Sequence, residues 1–211
     1  MIQLLGKIYR RVQRHVDLNR YNPTTIAEYL RKQGSTIGEG CVIVPTNLGA
    51  EPYLVRIGNH VTIAQGVKFE THDGGVWIFR EELPDFQVFG PIVIEDNVVI
   101  GQNAILFPNI RIGRNSIVGA GSVVITDVPP DTICMGVPAR PFGSISKYRE
   151  KSIERWQAQR PPDILIEDGD TWWNSKHFPA NREKLRRHLL ELFRQELGGA
   201  GVPGNKRRKS L

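Results

Sequence analysis

The apolar positions of the central segment keep a period of six. From Ile94, every sixth residue is a branched aliphatic: Ile94, Ile100, Leu106, Ile112, Val118 and Val124. The next residue is often glycine (Gly101, Gly113, Gly119), and the fifth position is small or β-branched (Val98, Ala104, Ile110, Ser116, Ser122, Val128). The same register recurs in Ile57-Gly58, Ile63-Ala64 and Phe69, and a third block opens with Ile37-Gly38 and Ile43-Val44. A plain strand repeats every two residues and a helix every 3.6; neither keeps an aliphatic residue on multiples of six. The pattern predicts a parallel β-helix of triangular section, an all-β core with one hexapeptide per short face and three per coil of eighteen residues. The aliphatic side chains then point inward and stack in columns: Ile57–Ile94–Ile112, Ile63–Ile100–Val118 and Phe69–Leu106–Val124. Glycine after the aliphatic is read as easing a tight corner. One coil cannot bury its own apolar face, so stacking is obligatory.

The repeat breaks twice. The spacing slips from Leu48 to Val55, with Pro52 inside, and Asp73 to Pro91 leave the coil as a long excursion. Loops longer than about 12–15 residues in a compact domain are usually functional or disordered. Trp77, Phe79, Phe86 and Phe89 point to a loop that buries aromatics, as a lid or a subunit contact. The flanks carry helical spacing. Over residues 2–18, Leu5, Ile8, Val12 and Val16 lie opposite Arg10, Arg11 and Arg14. Asn22-Pro23 predicts a helix start and Gly34 its stop. Residues 144–159 and 181–197 are helical by pattern, the latter capped by Asn181 with Leu185, Leu189 and Phe193 as its stripe. The organisation is a helical segment 1–35, a β-helix 36–142 with excursion 73–91, a second helical segment 143–197 and a basic tail 198–211 expected to be disordered.

Composition narrows the class. The 211 residues are 40% hydrophobic and 24% charged, a globular balance that suits one main domain. No apolar run approaches the roughly 20 residues of a spanning helix. Met1 to Arg20 alternates apolar and basic residues, so no secretory signal is expected. Cys41 and Cys134 are too few for a disulfide framework or a four-cysteine zinc site; they read as buried small residues in a reducing cytoplasm. The formal charge of +6 points to an anionic partner. Nucleic acid is not expected, because the centre lacks a basic stripe interleaved with aromatics. The tail Gly204 to Leu211 carries four adjacent cations; it is a solvated end or, with the basic N-terminal flank, a peripheral contact to an anionic membrane surface.

The run from Ile112 to Arg140, with its Val-Pro-Pro and closing Gly-Val-Pro-Ala-Arg, resembles the hexapeptide-repeat acyltransferases. Its branch resembles the bacterial sugar O-acetyltransferases related to the galactoside, maltose and xenobiotic acetyltransferases. The likeness spans residues 36–142. It implies a left-handed β-helix, a homotrimer with each active site in a groove between two subunits, and acetyl-CoA as acyl donor, with no metal required.

Acyl transfer to an alcohol or amine needs a base, donors for a developing oxyanion, and positioning. His72, in Glu70-Thr-His-Asp73 at the mouth of the excursion, stands where the family's catalytic histidine stands and is the candidate general base. Asp73 either orients its ring, contacts the acceptor or forms the turn before two glycines. Trp77 is the candidate aromatic contact to the acceptor. Asn47 resembles a family acceptor contact across a one-residue gap, or is a turn-stabilising amide. Gly101, Gln102, Ala120, Ile125, Thr126 and Arg140 match positions of the family's CoA groove. Gly101 and Ala120 equally suit coil geometry; Thr126 replaces a frequent lysine; Arg140 offers a planar fork to a phosphate. The galactoside and maltose branch has Gly-His-Pro where this chain has Thr-His-Asp-Gly-Gly, so a simple galactoside or maltose acceptor is not expected. A metal hydratase on the same coil is disfavoured, because His60 and His72 are twelve residues apart and His15, His177 and His188 lie outside the coil. The reading is a cytoplasmic acetyltransferase of a sugar hydroxyl in surface polysaccharide or lipopolysaccharide synthesis. The alternatives are N-acetylation of a nucleotide-linked amino sugar, transfer of a longer acyl group, or a noncatalytic scaffold.

Overall fold

The computed structural model describes residues 20–45, 47–167 and 175–197. The chain divides into two compact units, Met1–Tyr148 and Arg149–Leu211. In the first, α1 (Ile26–Lys32) is entered through a turn over 23–25. Asn22 is not the helix cap: its side-chain oxygen accepts the N–H groups of Thr24 and Thr25 at 2.9 and 3.1 Å and closes the turn before the helix, and the cap position falls on Thr25. Regular helix begins three residues after Pro23.

The strands that follow are short: β1 (Thr36–Ile37), β2 (Val42–Ile43), β3 (Val55–Ile57), β4 (Thr62–Ile63), β5 (Lys68–Phe69), β6 (Ile92–Ile94), β7 (Val99–Ile100), β8 (Ile105–Leu106), β9 (Ile110–Ile112), β10 (Ile117–Val118), β11 (Val123–Val124), β12 (Thr132–Met135) and β13 (Arg140–Ser144). They form three sheets, β1-β3-β6-β9, β2-β4-β7-β10-β12-β13 and β5-β8-β11. From β3 to β11 successive strands fall in successive sheets, and every strand pairing except β12 with β13 is parallel, so the chain winds as a three-faced parallel β-helix. The three predicted columns are the observed registers: Ile57, Ile94 and Ile112 align, as do Ile63, Ile100 and Val118, and Phe69, Leu106 and Val124. All nine side chains are buried. Each contributes about 1.5–3 kcal/mol over leaving it exposed, which is what two-residue strands alone could not supply.

The corners are built differently from the sequence expectation. The left-handed backbone falls on Asn97, Asn103, Asn109, Asn115 and Gly121, six residues apart, and not on Gly101, Gly113 or Gly119. Asparagine tolerates that conformation because its short side chain bonds locally. Gly101 is needed for a different reason. A Cβ there would lie 2.5 Å from the backbone nitrogen of Ala120 on the next coil.

In the single chain the excursion leaves most of its large apolar side chains uncovered, as a loop that contacts another subunit would. The 3-10 segment Gly74–Phe79 sets only Val76 inward and leaves Trp77, Ile78 and Phe79 exposed, and Phe89 at the excursion's end is exposed as well.

α2 (Ile145–Gln159) buries no residue. α3 (Phe178–Leu192) and α4 (Arg194–Leu197) belong to the second unit. Asn181 is not the cap of α3; His177 is, with proline in the first turn. The Asn181 side chain instead lies inside the helix, buried, and ties the backbone N–H and C=O of Leu165. The predicted helix over 2–18 and the tail over 198–211 lie outside the described residues. Among the described residues, no helix is long and apolar enough to cross a membrane.

Candidate active site

β5 ends on the inward-facing Phe69, and the alternation carries on: Thr71 is buried and His72 turns outward. The excursion begins there and is closed at its base. His72 and Phe89 form an antiparallel bridge, with Asp73 N donating to Val88 O at 2.9 Å and Gly90 N to Thr71 O at 3.0 Å. The Phe89 ring meets the imidazole edge-on, with centroids 6.3 Å apart. This stem fixes where the imidazole leaves the coil.

A cleft of about 600 Å³ opens beside it. Its walls are His72, Asp73, Gly74 and Gly75 from the excursion's base, and Ile105, Phe107 and Ile125 from the third sheet. Apolar side chains thus share the lining with the His72 ring and the polar side chains of Glu70, Asp73 and Asn109, the makings of a small-molecule site.

The imidazole has a carboxylate partner. Nδ1 of His72 lies 3.0 Å from Oε2 of Glu51, and the hydroxyl of Thr71 donates to the same oxygen. The His72 side chain is 39% exposed and that of Glu51 only 14%, so the imidazole faces the cleft while its partner is enclosed. The Thr71 hydrogen bond, followed by the contact with His72, holds the Glu51 carboxyl below its usual range against the opposing effect of burial. Glu51 therefore sits there as a carboxylate. Nothing in the sequence pattern singled it out. The available signal was the spacing slip at Leu48–Val55, within which it lies.

Asp73 does not orient the ring. Its Oδ1 accepts the N–H of Gly75 at 2.8 Å and caps the 3-10 segment, while the residue itself lines the cleft. Trp77 does not line the cleft; it is 69% exposed, with the Arg80 guanidinium 5.1 Å above its ring. Asn47 is exposed and is not in the lining.

The candidate donor residues divide. Ile125 shares the cleft with His72, and Thr126 follows it, exposed. Gly101, Gln102 and Ala120 sit at the corner between the second and third sheets, where Gly121 N donates to Gln102 O at 2.7 Å. Arg140 opens β13, exposed, with Nη1 on its neighbour's carbonyl, Ala139 O, at 2.9 Å. Of the six, only Ile125 is in the lining of the His72 cleft.

Cys41, Cys134 and His60 are placed away from this cleft. Cys41 and Cys134 are buried, and burial pushes both thiols up, away from the reactive thiolate. His60 is bonded to Asn97 at a corner. Among the described residues, no three His, Cys, Asp or Glu side chains are grouped to hold a metal ion.

Comparison with known proteins places this geometry. The family model "Bacterial transferase hexapeptide (six repeats)" matches residues 91–126, the coils of β6 to β11. Protein CapG of Staphylococcus aureus is 50% identical over 128 residues, covering 59% of this chain and 74% of its own. The galactoside O-acetyltransferase of Lactococcus lactis is 30% identical over 153 residues, covering 57% and 71%. Among solved structures, a hexapeptide-repeat-containing acetyltransferase from Vibrio cholerae superposes with a TM-score of 0.50 at 27% identity, covering 65% of this chain and 89% of that one. With relatives this similar spanning most of their own length, and the repeat model falling on the observed coils, the chain belongs to the bacterial hexapeptide-repeat transferases and is an acyltransferase.

Proposed function

We propose that the protein is an acetyl-CoA-dependent O-acetyltransferase that modifies a sugar hydroxyl on a precursor of surface polysaccharide or lipopolysaccharide. The observation that carries this reading is the placement of His72 at the rim of the cleft, its imidazole exposed to the space an acceptor would enter. The Lactococcus relative, named for a galactoside acceptor and an O-acetyl product, supports the sugar hydroxyl, and the acetyltransferase names of the relatives support the donor.

In this reading the acceptor hydroxyl lies against His72. The imidazole takes its proton as the oxygen attacks the thioester carbonyl. The tetrahedral intermediate collapses, the carbon–sulfur bond breaks, and the thiolate of CoA leaves with the proton held on the imidazole. Backbone N–H groups polarise the carbonyl. The donor lies along Gly101, Gln102, Ala120, Ile125 and Thr126, with Arg140 on a phosphate. A left-handed coil assembled as a homotrimer brings the corner set of one subunit to the His72 cleft of the next, which accounts for the separation of the two groups within one chain. Asp73, at the cleft wall, is the nearer acceptor contact; Trp77 and Asn47 then serve the acceptor beyond the reacting sugar. The reaction takes place in the cytoplasm.

A thiol-release assay with acetyl-CoA across free sugars, nucleotide-linked sugars, their amino forms and oligosaccharide repeats tests this. Turnover is expected with a hydroxyl acceptor. His72→Ala should lower kcat by roughly 10²–10⁴-fold with the fold intact. Near-normal turnover in His72→Ala would move the base elsewhere, and turnover on amino sugars alone would replace O-transfer by N-transfer.

A further inference from the structure

The coil carries a local defect in the turn that holds Glu51. The register Ile94↔Ile112 spans eighteen positions, whereas Ile37↔Ile57 spans twenty. The extra length falls between β2 and β3, in the turn holding Gly49, Glu51 and the 3-10 segment Pro52–Leu54. That turn is pressed onto the next coil. At Gly49, φ +94°, a Cβ would lie 2.7 Å from the carbonyl oxygen of Phe69 and 3.0 Å from the hydroxyl of Thr71. Only glycine combines that backbone with that approach. The result brings Glu51 over Thr71 and His72. The Glu51 backbone N–H donates to Thr71 Oγ1 at 3.3 Å, and the Thr71 hydroxyl returns a bond to the Glu51 carboxylate. Thr71 is 1% exposed, so water does not compete for these bonds.

We propose that Glu51 is the positioning residue of the site, and that the insertion at 48–54 serves to deliver its carboxylate to His72. This rests on the reading of His72 as the base. A carboxylate only accepts hydrogen bonds, so the ring nitrogen facing it, Nδ1, carries the proton. Nε2 then holds the lone pair and turns to the acceptor. A neutral imidazole free in water prefers the other tautomer, with the proton on Nε2, which presents a donor where a base is needed. The same carboxylate stabilises the imidazolium formed during attack. The other charged groups around the ring are placed differently: Asp73 is engaged with Gly75, and Glu70 lines the cleft wall. The Phe89 ring stands against the imidazole at a steep angle, with centroids 6.3 Å apart.

The experiment uses the full chain with ¹⁵N-labelled histidine, in wild type, Glu51→Ala, Glu51→Gln and Thr71→Val. In the wild type the neutral His72 ring should be protonated on Nδ1. In Glu51→Ala the proton should pass to Nε2, and kcat on the acceptor should fall roughly 10–10³-fold while KM for acetyl-CoA changes less than about threefold. Glu51→Gln keeps the shape and removes the charge, and should lose about tenfold or more in kcat; it also serves if Glu51→Ala does not fold. Thr71→Val should fall between wild type and Glu51→Ala. A wild-type ring protonated on Nε2, a tautomer unchanged in Glu51→Ala, or full kcat in Glu51→Gln would each overturn the proposal. If no acceptor turns over in the wild type, the function fails while the tautomer measurement still decides Glu51.

Discussion

At Gly101 the packing of the coil is by itself sufficient to require glycine, apart from the donor contact proposed for it. The missing Cβ is the space occupied by the backbone of Ala120, whose nitrogen would be 2.5 Å away. Backbone cannot swing aside as a flexible side chain does, so Gly101→Ala forces the two coils apart. Overpacking of this kind costs about 1–3 kcal/mol, and a chain of this size loses about 2–4 °C of Tm per kcal/mol. A fall in Tm of roughly 2–12 °C is expected by calorimetry. An unchanged Tm with weakened acetyl-CoA binding would assign the glycine to the groove instead.

At the scale of the element, the corner between the first and second sheets is a ladder of polar side chains. Asn97 Nδ2 donates to Asn115 Oδ1 at 2.9 Å, and Asn115 Nδ2 donates to Asp131 Oδ1 at 2.9 Å. Asp131 only accepts, so it fixes the direction of the chain, and Asn97 Oδ1 is left to accept from His60 Nδ1 at 2.8 Å. All four residues have φ between 55° and 57°. Two contributions are thus combined at Asn97: tolerance of left-handed backbone and a rung of the ladder. Asn97→Gly keeps the first and loses the second; Asn97→Ala loses both. Alanine should therefore be less stable than glycine by about 1–2 kcal/mol in urea unfolding. Equal midpoints would mean that the backbone carries no strain there. The six-residue columns were legible because burial forces an aliphatic at each inward position, and an aliphatic signature survives in sequence. The corner was misread because two glycine-compatible constraints, left-handed backbone and coil approach, fall on different positions, and asparagine satisfies the first. The position of His72 at the base of the excursion was legible from the sequence. Glu51 was not, because a contact across twenty-one residues leaves no periodic trace; only the slip that carries it does.

For the molecule as a whole, the excursion and the insertion are the two breaks in the repeat, and both meet at His72, where the regular coil supplies the facing wall of the candidate cleft. Carboxylates held by hydrogen bonds, one in the insertion and one on the regular coil, make the fold sensitive to acid. Glu51 is held below the usual carboxylate range chiefly by the Thr71 hydroxyl, then by His72. Glu95 is held low by the backbone N–H of Arg114 and the guanidinium of Arg111, at 3.0 and 2.9 Å. A carboxyl that titrates lower in the folded than in the unfolded chain means the unfolded chain binds more protons in between. Its stabilisation is then complete above the unfolded value, about 4.3 for glutamate, and is lost as pH falls through the lower folded value. Wild-type Tm should hold steady at neutral pH and descend below about pH 5. Glu95→Gln removes one of the two contributions without touching the cleft, since Glu95 lies on the first sheet's side of the coil and its partners are Arg111 and Arg114. Its Tm should start below that of the wild type at pH 7, and the gap should narrow as the pH is lowered toward 3, because the wild type is then losing what the variant already lacks. A gap that stays constant across that range would show that the Glu95 carboxylate titrates alike in the folded and unfolded chain.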